Sequence, residues 1–146
     1  MTNVTPSIVV ACDGSGQSLQ AAKMAADLAR ATGQPLKLLS VFPDSEAERL
    51  VINGVQHSDV VEEEKNYGRK VFDAAKEAMT GKASPTLEIL LKGDPAKEII
   101  EYLQANPGTH LVLGRRGHSM VRSLTLGSIS EKVIRHATGP VTVVSE

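Results

Sequence analysis

A chain of 146 residues can bury about 70% of its unfolded surface as one domain, so it needs no disulfide or metal to hold a core. A formal net charge of −1 excludes binding to DNA or anionic lipid by charge alone, and two tyrosines, two phenylalanines and no tryptophan exclude a base-stacking nucleic-acid platform. The lone Cys12 sits in an apolar run and reads as a small buried hydrophobe. With no leader pattern and no apolar stretch of about 18 residues, the expected setting is cytoplasmic, without membrane insertion.

Five strand-like runs alternate with four helical patterns. Ser7–Cys12 (SIVVAC) is apolar and β-branched, as in a strand buried on both faces. Ser18–Thr32 carries Leu19, Ala22, Ala26 and Ala29 on one face, with Gly33 as its stop. Pro35–Phe42 is the second strand. Pro43–His57 follows as the one long connection with little periodicity, expected to be a functional or mobile loop. Ser58–Thr80 is the second helix, with Val60, Val61, Val71, Phe72, Ala75 and Met79 at helical spacing. Gly68 weakens it by about 1 kcal/mol relative to alanine, and its Glu62-Glu63-Glu64-Lys65 run is a solvated face. Thr86–Lys92 is the third strand. Asp94-Pro95 opens a third helix with a capping carboxylate and a first-turn proline, and Ala96, Ile99, Ile100 and Leu103 form its buried stripe. His110–Leu113, Ser128–Ala137 and Val141–Ser145 are the fourth strand, fourth helix and fifth strand.

This alternation predicts a single doubly wound α/β domain over residues 1–146, with a parallel sheet and right-handed crossovers. Ligands of such sheets sit beyond the carboxyl ends of the strands, where the winding reverses. The stretch GRRGHSMVRSLTLGS, Gly114–Ser128, starts at such an end and runs into a helix. A helix start offers unpaired N–H groups and a positive dipole end, which suit phosphate. Gly127 removes a side chain that would hold the anion away, Gly114 and Gly117 let the loop backbone curl around it, and Arg115, Arg116 and Arg122 add positive charge. Ser128-Ile129-Ser130-Glu131 also has the spacing of a capping box, in which the serine hydroxyl would serve the helix instead.

Gly114, Gly117, Gly127 and Ser128 fit G-x2-G-x9-G-[S/T], which resembles the nucleotide-binding signature of the universal stress protein family. The resemblance spans nearly the whole chain. It includes Asp13-Gly14-Ser15 after the first strand, Gly93-Asp94-Pro95 before the third helix, and the closing Gly139-Pro140-Val141-Thr142-Val143-Val144. It implies membership of the ATP-binding branch, a five-stranded sheet in the order 3-2-1-4-5 with four helices, and a bound ATP, or alternatively AMP, with magnesium. Carried onto this chain, Gly114, Gly117, Gly127 and Ser128 would hold the phosphates, with Ile129 and Ser130 adjacent and Arg115 and His118 also among the ATP-binding residues. Asp13 would lie near the ribose or a phosphate-bound magnesium, and Ala11 and Val41 would line the adenine pocket. The resemblance also implies a stress-response regulatory module with a protein partner of unidentified nature, and a homodimer joined through Val141, Thr142, Val143 and Val144. The apolar last strand is expected to present an uncovered edge, which would invite pairing with a second copy.

Other chemistries fit less well. Asp13-Gly14 is also an ordinary turn pair. His57, His110, His118 and His136 lack metal-ligand spacing, and His118-Ser119 lacks an orienting acid for hydrolase chemistry. The stretch after the first strand does not match the S-G-G-x-D-S of ATP pyrophosphatases. Asp94 stands where a phosphorelay receiver would carry its acceptor, but no acidic pair ends the first strand and no lysine follows the last. Both tyrosines fall on helices, which disfavours a flavin sandwich. The chain also lacks G-x4-G-K-[S/T], so fast phosphoryl transfer is not expected, whereas slow ATP hydrolysis stays open.

Overall fold

Residues 7–10 are buried without exception, as a strand at the centre of a parallel sheet must be. A computed structural model describes residues 5–115 and 126–145. Its elements in chain order are β1 (Ser7–Ala11), α1 (Gly16–Thr32), β2 (Leu36–Pro43), α2 (Asp44–Ile52), α3 (His57–Ala78), β3 (Leu87–Gly93), α4 (Pro95–Ala105), β4 (Thr109–Gly114), α5 (Ser128–His136) and β5 (Val141–Val144). The strands form one parallel sheet in the order β3-β2-β1-β4-β5. The order reverses between β1 and β4, so the crevice at their carboxyl ends is the place for a ligand.

Strand alternation divides the core into two layers. Ile8, Val10 and Cys12 of the β1 segment, with Leu36 and Leu38 of β2, face α1 and α3. Val9, Leu39, Val41, Leu111 and Leu113 face α4 and α5. The alanines of α1 make the first layer thin: Ala21, Ala22, Ala25, Ala26 and Ala29 are all buried. Leu19, expected on that face, is only half-buried. The helix begins two residues earlier than its apolar pattern, because Ser15 accepts a hydrogen bond from the Ser18 N–H at 3.2 Å and caps it there.

Among the described residues there are five helices, not the four that the sequence pattern predicts. The addition is α2, inside the 43–57 connection. Pro43 precedes it, Asp44 and Glu46 sit in its first turn, and Glu46 pairs with Arg49. Only Ala47 is fully buried, against Phe42 and Val60, with Leu50 and Val55 packed beside them. Val51 and Ile52 stay exposed, which blurs the apolar period and explains why the helix is hard to see in the sequence.

Gly68 in α3 serves packing: a Cβ there would stand 2.8 Å from Leu90 Cδ2 on β3. The helix therefore trades propensity for close approach to the sheet. The entry to α4 forms as expected, with the Asp94 carboxylate accepting from the Lys97 N–H at 3.0 Å and Pro95 in the first turn.

Candidate functional site

The carboxyl ends of β1, β2 and β4 open on a cavity of about 270 Å³. Its size is near the low end of small-molecule pockets, which run from about 300 Å³. The structure brings Ala11, Asp13, Val41, Gly114, Gly127, Ser128, Ile129 and Ser130 together on its lining. These residues come from four separate segments, so their meeting is a tertiary result.

On the β4 side, a Cβ on Gly114 would lie 2.9 Å from Gln17 Cβ and 3.1 Å from the Gln17 carbonyl carbon. Gly114 therefore lets the end of β4 abut the first turn of α1, a packing role beside any contact with a ligand. Its carbonyl accepts from Ser130 Oγ at 2.8 Å, which pins the start of α5 to the strand end. The Gly127 N–H donates to the Arg115 carbonyl at 2.9 Å, so the chain leaves and returns at one point. The Arg115 N–H donates in turn to the Val144 carbonyl at 2.9 Å. Arg115 is half-buried and off the cavity lining, and its Nε has no hydrogen-bond partner among the described residues. Gly117 and His118, like Arg116 and Arg122, lie outside the described residues.

The capping box at α5 does not form. The N-cap is Gly127, in extended conformation, and no side chain caps the helix. Ser128 is the first helical residue, and Glu131 pairs with Arg135 at 2.8 Å instead of reaching back. The first intrahelical bond runs from the Glu131 N–H to the Gly127 carbonyl. Helix geometry leaves the N–H groups of Ser128, Ile129 and Ser130 without an acceptor in the helix, on residues that line the cavity. Together with the dipole, they form a positive pole aimed at it.

At the end of β1, the Asp13 carboxylate accepts from the Ser15 N–H at 2.9 Å, so this residue both shapes the turn and lines the cavity. Ser15 and Ser18 complete that rim and are themselves buried.

The opposite wall holds residues that no motif marks: Cys12, Ser40, Tyr67, Pro43 and Ile99. Ser40 and Cys12 lie within apolar runs, and Tyr67 arrives from α3, far along the chain. A serine between Leu39 and Val41 is the one local anomaly that could have flagged this wall. Ser40 Oγ donates to the Cys12 carbonyl at 2.6 Å. The Tyr67 ring meets Phe42 edge to face, with centroids 5.4 Å apart. Burial raises the Tyr67 phenol above its ordinary range. Hydrogen bonding with Ser40 opposes the rise, and the charges of Asp13 and Cys12 add to it.

Cys12 is buried, and burial, with the neighbouring Asp13 charge, pushes its thiol from 9.0 up to about 12. At pH 8 the folded protein should therefore resist iodoacetamide and react once unfolded in urea; equal rates in both states would contradict its burial. The sign for stability follows. Below pH 9 the thiol is neutral in both states. As pH rises from 9 toward 12 only the unfolded chain ionises, and the stabilisation present below 9 is lost.

A family model described as the universal stress protein family matches residues 5–145. Among curated relatives, the chain is 30% identical over 143 residues to universal stress protein YxiE of Bacillus subtilis, covering 94% of this chain and 97% of that one. Among solved structures, it is similar to universal stress protein UspA from Lactobacillus plantarum, with a TM-score of 0.78 at 21% identity over 98% of this chain and 99% of the other. A universal stress protein from Archaeoglobus fulgidus in complex with dAMP gives a TM-score of 0.67 at 22% identity, covering 97% and 98% of the two chains. A universal stress protein in complex with cAMP gives 0.66 at 24% identity, covering 98% of each.

Proposed function

The chain belongs to the universal stress protein family, and from that premise we propose that it is an ATP-binding regulatory module, with AMP as the alternative ligand, rather than a fast enzyme. The observation that carries this reading is the uncapped start of α5, whose first-turn N–H groups open on the cavity beside a glycine N-cap. An anion placed there meets three donors and the positive end of a helix. The nucleotide complexes of two structural neighbours, with dAMP and cAMP, support an adenine nucleotide as the kind of ligand.

In this reading the phosphates lie against Gly127–Ser130, with Gly117 and His118 of the connecting stretch contributing. The base extends over Ala11 toward Val41. The glycine N-cap and the uncapped donors fit a phosphate group. Magnesium would come with the phosphates, and Asp13 is the carboxylate on the cavity lining able to face it through water. The Ser130 hydroxyl serves the fold by holding Gly114, so its backbone N–H is its contribution to the ligand.

Calorimetry with ATP and AMP, paired with mass spectrometry of small molecules released from the purified protein, tests the reading. Binding of either nucleotide, or its release, is the expected outcome; no binding and no release would refute it.

The edge of β5 is the proposed dimer contact, through Val141–Val144. Pro140 and Val144 accept from Leu111 and Arg115 of the β4 side, so strand alternation turns the Val143 N–H to the free edge. Val143 itself packs against the α4/α5 layer, so a charged residue there would disturb the core as well as the edge. Proline removes the outward donor instead. Val143→Pro should weaken association by about tenfold, the scale of one or two lost hydrogen bonds. Sedimentation velocity over a dilution series reads the change, and an unchanged monomer–dimer midpoint would count against edge pairing.

A further inference from the structure

Helix α2 has two unlike faces. Ala47 and Leu50 pack on Phe42 and Val60, and that contact seats the helix. Asp44, Glu48, Val51 and Ile52 stand at i, i+4, i+7 and i+8, the spacing of one helix face, and all four are exposed. Ile52 is 82% exposed and Val51 58%. A single apolar side chain on a surface is ordinary, but two large ones side by side at the end of one helix face form a patch. Arg49, the one base of α2, is paired with Glu46. Asp44 and Glu48 enter no ion pair among the described residues. Beyond the short connection 53–56, Asp59, Glu62 and Glu63 of α3 add exposed carboxylates. The apolar pair therefore lies in a negative field.

We propose that this face of α2 docks a basic amphipathic helix of a partner protein, its apolar stripe on Val51 and Ile52 and its lysines or arginines against Asp44 and Glu48. Charge decides among the occupants. A second copy placing the same face here would bring carboxylates against carboxylates, and an anionic lipid surface would be repelled in the same way. A cationic partner gains from both the acids and the apolar pair. The exposed row along α2 suits a second helix, whose side chains pack across such a ridge and read it at helical spacing. The surface also has a fixed place in the fold. Pro43, on the cavity lining, directly precedes α2, and Phe42 beneath α2 is the ring that Tyr67 of the cavity wall meets. A partner docked here touches an element seated on the cavity wall. The assignment goes beyond the nucleotide reading and does not depend on it.

The test is fluorescence polarisation with a labelled helical peptide of leucine and lysine, leucines at i, i+3, i+4 and i+7, titrated with the full chain. A peptide with glutamate in place of lysine is the comparison. The parent should bind the lysine peptide and not the glutamate one. The double variant Val51→Ser, Ile52→Ser should weaken binding about tenfold or more, the scale of two apolar side chains left in water. Glu48→Lys should weaken it about fivefold at low salt, and less as salt is added. Glu77→Lys, an exposed site near the other end of α3, makes the same change of charge and should leave binding unaltered. All these side chains are exposed, so the variants should keep the parent's melting temperature within a few degrees. A parent that does not bind the lysine peptide overturns the proposal. So does a loss in Glu77→Lys equal to that in Glu48→Lys, which would mean attraction to net charge alone. A monomer–dimer midpoint that moves in the Val51, Ile52 double variant would give the face to a second copy, and binding of phosphatidylglycerol vesicles lost in that variant would give it to a membrane; either result overturns the proposal.

Discussion

A Gly127→Asp variant is expected to bind ATP about 100-fold more weakly than the parent while melting at a higher temperature. The two effects have opposite signs because the carboxylate does two things at one place. Gly127 is the N-cap of α5 in an extended conformation open to any residue, and no side chain caps the helix. Aspartate is among the best caps, and its charge suits the helix dipole, so a gain of about 0.5–1 kcal/mol is expected. For a domain of this size that raises the melting temperature by about 2–4 °C. The same carboxylate would stand where a phosphate is proposed to lie. Two unit charges about 5 Å apart at an effective dielectric near 20 repel by about 3 kcal/mol, or roughly a hundredfold in affinity. Calorimetry and thermal melting measure the pair. A higher melting temperature with unchanged ATP affinity would place the phosphates elsewhere.

Phe42→Ala should cost the fold about 3–5 kcal/mol, the usual range for deleting a buried phenylalanine. Phe42 is 2% exposed at the end of β2 and is the centre of a small cluster with Ala47 and Val60. It is also the surface against which Tyr67 is held. Loss of the ring removes the seat of α2 and loosens the start of α3, so the damage should concentrate at the cavity wall beneath β2. Urea denaturation reads the stability, and hydrogen exchange should show the earliest loss of protection in α2. A loss below about 1 kcal/mol would mean that this cluster is not a packed part of the core.

Much of this architecture can be read from local pattern. The apolar runs at Ser7–Val10 and Leu111–Leu113 and the alanine face of α1 each carry their own period, so the strands and main helices lie close to their expected bounds. The Asp94-Pro95 entry likewise needs only adjacent residues. The errors fall where neighbours in space decide. In α2, a single buried alanine and an exposed Val51-Ile52 leave too little period to recognise, and contact with Phe42 and Val60 supplies the stability. At α5, Ser128-x-x-Glu131 has a capping spacing, yet the cap falls on Gly127 and Glu131 pairs with Arg135. Cys12 reads as inert core, and it is buried, but it also lines the cavity because the winding reverses beside it.

By itself, the order of residues determined the class of fold, the parallel alternation and a glycine-marked strand-to-helix turn suited to an anion, because each depends on periodicity or spacing within a few turns of chain. The tertiary structure alone decided that Asp13, Val41 and the start of α5 share one cavity. It also decided that Gly114 must lack a side chain for the sake of Gln17, and that Ser40 and Tyr67 stand together across 27 positions of sequence. Those facts depend on strand order and helix packing, in which residues far apart in the chain meet because burying two apolar layers leaves them nowhere else to go.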